Sequence, residues 1–329
     1  MFHHLPIELL DGICQLVQPT DLVALARTSS AIYPVAQRLL YRHLAISPAS
    51  HNLGVVVTLA RKPELAQHVR TFALRLDCLT GFTSFYRLLA VALSNMTGLT
   101  SLDLFVDPST SWVLQNTHRS TYPRLLHFGC SFPLDSHVAH FLNKTQALLE
   151  LELDEISESD SLHMPSLDIE SLPQLSQFVG SSHTAKAIVP GRPVQSIQLH
   201  SGDLSETDVV TLAESTADVV ILGATTSSLP VPLLESLALR MPHLVYLRVT
   251  TTYNFSEAPD VTFYEHIGAT LASLSDLEGF ELSGMHWGSS PKAINDEARV
   301  WQQPLVSDIV APEDAALDSE FYSELFLAY

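Results

Sequence analysis

The sequence predicts an α/β repeat, a solenoid of parallel strands with outer helices, preceded by a short all-α module. Three observations carry this. A six-residue phrase with apolar first, fourth and sixth places recurs from residue 69 onward. Between the phrases lie segments whose apolar residues fall three or four apart, the spacing of an amphipathic helix. The first forty-odd residues show only helical spacing, punctuated by prolines.

The module comes first. Pro6 sits where a helix tolerates proline, in its first turn. Ile7, Leu10, Ile13, Cys14 and Val17 then form an apolar stripe that Leu9 and Leu16 widen, so one broad buried face is expected. Pro19 is expected to break this helix. Thr20 or Asp21 is a ready N-cap for a second helix with Leu22, Leu25 and Ala26 inside. Ser30 can cap a third helix carrying Pro34, Ile32, Val35, Leu39 and Leu40. Three short helices cannot bury a self-sufficient core, so the unit needs a partner helix or a following domain to cover it.

The ordered set Leu5-Pro6, Glu8, Leu9-Leu10, Ile13, Asp21-Leu22 and Leu25, ending in Leu39-Leu40-Tyr41-Arg42, resembles an F-box of the fungal type. The family's common tryptophan in the third segment is absent, and Tyr33 stands there instead. The resemblance implies docking on the Skp-family adaptor of an SCF-type cullin–RING ubiquitin ligase and, through it, on the cullin. Carried over by position, the adaptor-binding residues are Leu5, Pro6, Leu9, Leu10, Ile13, Leu22 and Leu25. The alternative is a generic helical cap whose same residues are buried against the body.

In the body the phrase reads VRTFAL (69–74), LTSLDL (99–104), LLHFGC (125–130), LLELEL (148–153), VQSIQL (194–199), LVYLRV (244–249) and LEGFEL (277–282). LSQFVG (175–180) and ADVVIL (217–222) are weaker instances. The alternation closing each phrase makes a short strand with one buried face. Helical spacing fills the gaps at Leu59–Leu65, Phe85–Leu93, Val138–Leu142, Val209–Ala213, Leu233–Leu239 and Tyr264–Leu271. Phrase and period resemble leucine-rich repeats, though the Asn/Cys position of the full consensus is mostly absent. An ordinary α/β domain with parallel strands is the alternative. The expected organisation is a helical module at 1–46, a linker with the first body helix at 47–68, repeats at 69–290 and an acidic cap or tail at 291–329.

In such an array the fifth place of each phrase lies between two buried residues and points out of the sheet. Aligned across strands and joined by second- and third-place residues, these places predict a binding surface for an unidentified target protein. Its candidate residues are Asp103, His127, Glu150, Glu152, Gln198, Tyr246, Arg248 and Glu281. Eight acids and no Lys or Arg fall between Thr145 and Ala185. They read as a patch for a basic partner or as a solvated, solubilising loop.

Composition bounds the rest. The 329 residues carry a net charge of −19, yet residues 1–75 hold seven Lys/Arg against four acids, a net of +3, which leaves −22 elsewhere. So acidic a body repels phosphate backbones, and nucleic acid is not expected as a partner. No apolar run reaches the ~20 residues of a membrane span, and no membrane partner is expected. The first residues lack a basic start and a cleavage site, and three scattered cysteines make no disulfide framework, so cytosol or nucleus is the expected compartment. Neither phosphate-cradling motif (GxGxxG, GxxxxGKS/T) nor a GxSxG elbow occurs. His137 and His140 lack companions for a zinc site, and only ten Lys/Arg are spread over 76–329, so no metal or cofactor is expected. The functional expectation is a non-catalytic substrate-recognition subunit of the ligase. An interaction scaffold whose F-box acts outside ubiquitin ligation is the alternative.

Overall fold

In the computed structural model, the structure describes residues 6–76, 83–119, 122–154, 167–168, 170–253, 261–291 and 299–302. The chain divides into two compact units, Met1–Pro173 and Gln174–Tyr329.

The first unit opens with helices α1 (Ile7–Gln15), α2 (Pro19–Thr28) and α3 (Tyr33–Leu40). Their shared interior is Leu10, Cys14, Leu22, Ile32, Val35 and Ala36, with Val17, Leu25, Ala26, Leu39 and Leu40 packed at its margin. Pro19 starts α2 at its first position rather than merely ending α1, because a first-turn residue needs no amide hydrogen. The N-caps are therefore Gln18 and Ile32, not Thr20, Asp21 or Ser30. An ion pair of 2.6 Å from Arg38 to Asp11 ties α3 to α1.

Five strands follow: β1 (His43–Ile46), β2 (Thr71–Arg75), β3 (Ser101–Phe105), β4 (His127–Cys130) and β5 (Glu150–Leu153). Each pairs in parallel with the next in chain order. The connections are α4 (Gly54–Arg61) with α5 (Pro63–Ala66), then α6 (Thr83–Asn95), a 3-10 segment at Pro108–Arg119, and α7 (Ser136–Leu142). A proline at 63 splits the helical stretch expected over Leu59–Leu65. One ladder, Leu44–Phe72–Leu102–Phe128–Leu151, is apolar throughout and faces the connections. There Phe128 meets Phe141 of α7 at 4.8 Å between ring centroids, and the Tyr122 hydroxyl donates to the Leu93 carbonyl at 2.9 Å. Asp135 caps α7 by accepting from the backbone N–H groups of His137 and Val138.

The second unit repeats the pattern. Strands β6 (Gln177–Ser181), β7 (Ser196–Ser201), β8 (Ile221–Thr226), β9 (Tyr246–Thr251) and β10 (Gly279–Leu282) run parallel in chain order. They are joined by α8 (Ser182–Ile188), α9 (Glu206–Leu212), α10 (Pro230–Arg240) and α11 (Val261–Ala272). Ser205 and Asp208 form a reciprocal capping box on α9. After β10 the direction reverses: β11 (Met285–Pro291) and β12 (Arg299–Gln302) add antiparallel strands.

A single backbone device recurs along both units. The carbonyl at the second place of a phrase accepts two successive N–H groups from the next strand. Arg42, Arg70, Thr100 and Leu126 do this in the first unit, and Ser176, Gln195, Val220 and Val245 in the second. This rung corrects the sequence reading twice. Arg42 belongs to a first repeat phrase at 41–46, so β1 is part of the body rather than the end of the helical module. Leu222, not Val220, pairs with Ile197 and Leu247, so the phrase at 217–222 moves to 219–224. Two flanking gaps of 23 and 27 residues thereby become 25 and 25. The expected cap or tail at 291–329 contributes β12, whose Trp301 is buried; its remaining part from 303 lies outside the described residues. No helix among the described residues is long and apolar enough to cross a membrane.

Candidate functional site

Two surfaces emerge: the outer side of α1, and the open face of each sheet opposite the connections.

The broad apolar stripe of α1 splits into two faces. Leu10 and Cys14 turn inward, at 5% and 3% exposure. Leu9, Ile13 and Leu16 stand four and three residues apart, one row on a helix, and remain 55%, 48% and 89% exposed. Ile7, expected inside, is exposed as well. The reason is geometric: α2 and α3 pack on one side of α1, and among the described residues of the module none covers the flank. Of the residues expected to touch an adaptor, Pro6, Leu9 and Ile13 are exposed, and Leu25 is half-buried against the module interior. Leu10 and Leu22 are buried in the interior of the three-helix module. Leu5 lies outside the described residues. Leu16 and Ile7 are surface residues that the sequence reading placed in the buried stripe without assigning them to the adaptor contact.

On the open face of the first unit, the fifth places align as expected. Ala45, Ala73, Asp103, Gly129 and Glu152 form one rung, and His43, Thr71, Ser101, His127 and Glu150 the adjacent one. His127 is clamped between strands. Its Nε2 lies 2.9 Å from Asp103 and its Nδ1 3.0 Å from Glu150. Carboxylates only accept, so both ring nitrogens donate when the imidazole is doubly protonated. The hydrogen bond to Asp103 raises the His127 pKa above its ordinary value, with burial opposing and Glu150 assisting. Gly129 makes the clamp possible, because a Cβ there would lie 2.8 Å from the Asp103 carboxylate. Arg75 stacks on Phe105 at 5.0 Å, beside a shallow pocket of about 430 Å³ floored by Ala45 and Ala73 and bordered by Asp103 and Glu152.

In the second unit, Gln198, Gly223, Arg248 and Glu281 share one rung. The Gln198 amide leans over Gly223, where a Cβ would lie 2.2 Å from its oxygen. Arg248 donates from Nε to Glu281 at 2.9 Å, and Tyr246 donates to Glu278 at 3.4 Å. Thus Asp103, His127, Glu150 and Glu152 gather on one unit, and Gln198, Tyr246, Arg248 and Glu281 on the other. Of the eight acids between Thr145 and Ala185, Glu155, Glu158 and Asp160 lie outside the described residues.

Neither of the two cysteines among the described residues is poised for chemistry. Cys14 is buried in the helical module, where burial raises its thiol pKa. Cys130 is fully buried between its strand partners Leu104 and Leu153, and burial pushes its thiol far up. Among the described residues no group of three His, Cys, Asp or Glu is placed to hold a metal ion. His137 and His140 both lie on α7. No protein-family model matches the chain, and no curated protein matches it.

Proposed function

We propose that this chain is a non-catalytic, target-binding subunit of a cullin–RING ubiquitin ligase, docking through α1 on a Skp-family adaptor. The observation that carries the reading is the row Leu9, Ile13 and Leu16. These are three large aliphatic side chains exposed on a helix whose opposite face already has its own core. A helix that needed only to fold would not keep such a row in water, and apolar patches of this kind mark interaction surfaces. An amphipathic helix laid into an apolar groove is a common recognition mode. The row falls within the segment that resembles an F-box, and the resemblance supplies the partner's identity. The ordered open faces of the two units suit the holding of a target.

The test is capture of a purified Skp-family adaptor by the full chain. Leu9→Asp with Ile13→Asp places two charges where no partner can satisfy them, and should abolish capture while the chain stays folded. Normal capture by the folded double variant would refute the docking surface. When cullin is then added, failure of the captured adaptor to bring it into the complex would refute the ligase role.

A further inference from the structure

The parallel array turns antiparallel at the Ser283–Gly284 turn, and this reversal builds a pocket that no sequence pattern announced. Phe280 of β10 pairs with Trp287 of β11. Their rings lie 5.8 Å apart, and Trp287 also lies 6.2 Å from Tyr264 of α11. Both aromatic side chains are thereby committed to the helix side of the sheet. The residues beside them in the strand alternation face the other way: Glu281 and His286 toward the turn, and two glycines, Gly279 and Gly288, away from it. The open face therefore has a floor of bare backbone at this point.

Around that floor is a pocket of about 410 Å³ whose walls include Tyr246, Glu278, Glu281, His286 and Ser289. This lies at the small end of the range for ligand sites, ~300–1,000 Å³. The Tyr246 ring leans over Gly279, where a Cβ would lie 2.9 Å from it. Over Gly288 nothing comes within 4 Å of a Cβ position, so the slot beside the ring is open. Arg248 fixes Glu281 from one side at 2.9 Å, with His286 at 3.9 Å from the same oxygen. Glu278 stands at the exposed rim, within reach of the Tyr246 hydroxyl.

An anion would meet the Glu278 carboxylate at the rim, and a purely apolar group would leave that charge unused. A flat cation suits the Tyr246 ring, the glycine floor and Glu278 together. It stacks on a tyrosine face, lies against bare peptide, and gives its N–H groups to a carboxylate. We propose that this pocket receives an arginine side chain from an extended segment of the target protein. The proposal rests on the reading of the chain as a target-holding subunit, and it names the chemistry that the target presents.

The probe is acetyl-Gly-Gly-Arg-Gly-Gly-amide, titrated into the full chain and followed by the backbone amide resonances of Gly279 and Gly288. The neutral control replaces arginine with citrulline, which has nearly the same shape. The expected result is saturable shifts with arginine and at least about tenfold weaker binding with citrulline, the effect of losing one charge-assisted hydrogen bond. Glu278→Gln should weaken arginine binding by a similar factor. Gly288→Val should remove it by filling the slot, and the open space at that Cβ lets this variant fold. Absence of saturable shifts, equal binding of citrulline, or full binding by folded G288V would each overturn the proposal. Adaptor capture is read on the same preparations. Capture without peptide binding sinks the pocket alone, whereas peptide binding without capture sustains the pocket and sinks the ligase reading.

Discussion

Leu9 and Leu10 are neighbours in sequence with opposite surroundings, and exchanging each for alanine separates folding from docking. Leu10 is 5% exposed among Cys14, Leu22, Ile32, Val35 and Ala36. Removing a buried leucine's methyl groups costs about 2–5 kcal/mol through lost transfer energy and the cavity left behind. In so small a core the lower half of that range is expected, about 2–3 kcal/mol. Leu9 already has 55% of its surface in water, so Leu9→Ala should change stability by no more than about 0.5 kcal/mol. Docking reverses the order. A leucine taken from full exposure to full burial contributes about 1.5–3 kcal/mol. Leu9 and Ile13 have roughly half of that left to gain, and Leu16 nearly all. After allowance for what alanine retains, the triple variant L9A/I13A/L16A should lose about 3 kcal/mol of adaptor affinity, roughly a hundredfold. Denaturant unfolding measures the first quantity and calorimetric titration with the adaptor the second. If the triple variant unfolds as readily as L10A, the row is core. If it binds like the parent chain, the row is not the docking face.

Three further outcomes are expected. Nuclear magnetic resonance should find His127 titrating above its ordinary value of 6.5, and Asp103→Asn should bring it down by removing the strongest hydrogen bond. Because the folded pKa is raised, the clamp's contribution to stability is complete below about pH 6.5 and is lost as pH rises through the folded value, a trend that D103N should flatten. Phe128→Ala should destabilise the first unit by about 3–5 kcal/mol in denaturant melts, since Phe128 is fully buried against Phe141. Ser205→Ala should cost about 1 kcal/mol by opening the capping box of α9, measured the same way.

Much of the fold was legible because strand and helix periods differ. The phrase beginning at Leu99 announced β3, and the spacing from Phe85 to Leu93 announced α6. Where the two signals were short or merged, reading failed. The first phrase, at 41–46, abuts α3 without a turn residue, so its four-residue strand was taken for the end of a helical module. The Val-Val-Ile-Leu run at 219–222 offers apolar residues at both strand parities. Only pairing to Ile197 and Leu247 decides which of them faces the core. Helix α8 (SHTAKAI) carries too few large apolar residues for a periodic signal, and the 3-10 segment at Pro108–Arg119 is kinked at Thr110.

The sequence alone determined which residues alternate, and hence that Asp103 and Glu152 share one face of the first unit's sheet, and Arg248 and Glu281 one face of the second's. That follows from the two-residue period of a strand, a local property of the chain. It also determined that α1 is apolar around much of its circumference, since spacing is written residue by residue. Only the tertiary structure decided which part of α1 is inside, because two neighbouring helices can cover one flank of a third and leave the other to water. The same holds at the far end of the array. Gly279 and Gly288 are nine residues apart and unremarkable in sequence. The reversal between β10 and β11 sets them side by side, and a gap between side chains exists only once strands are paired.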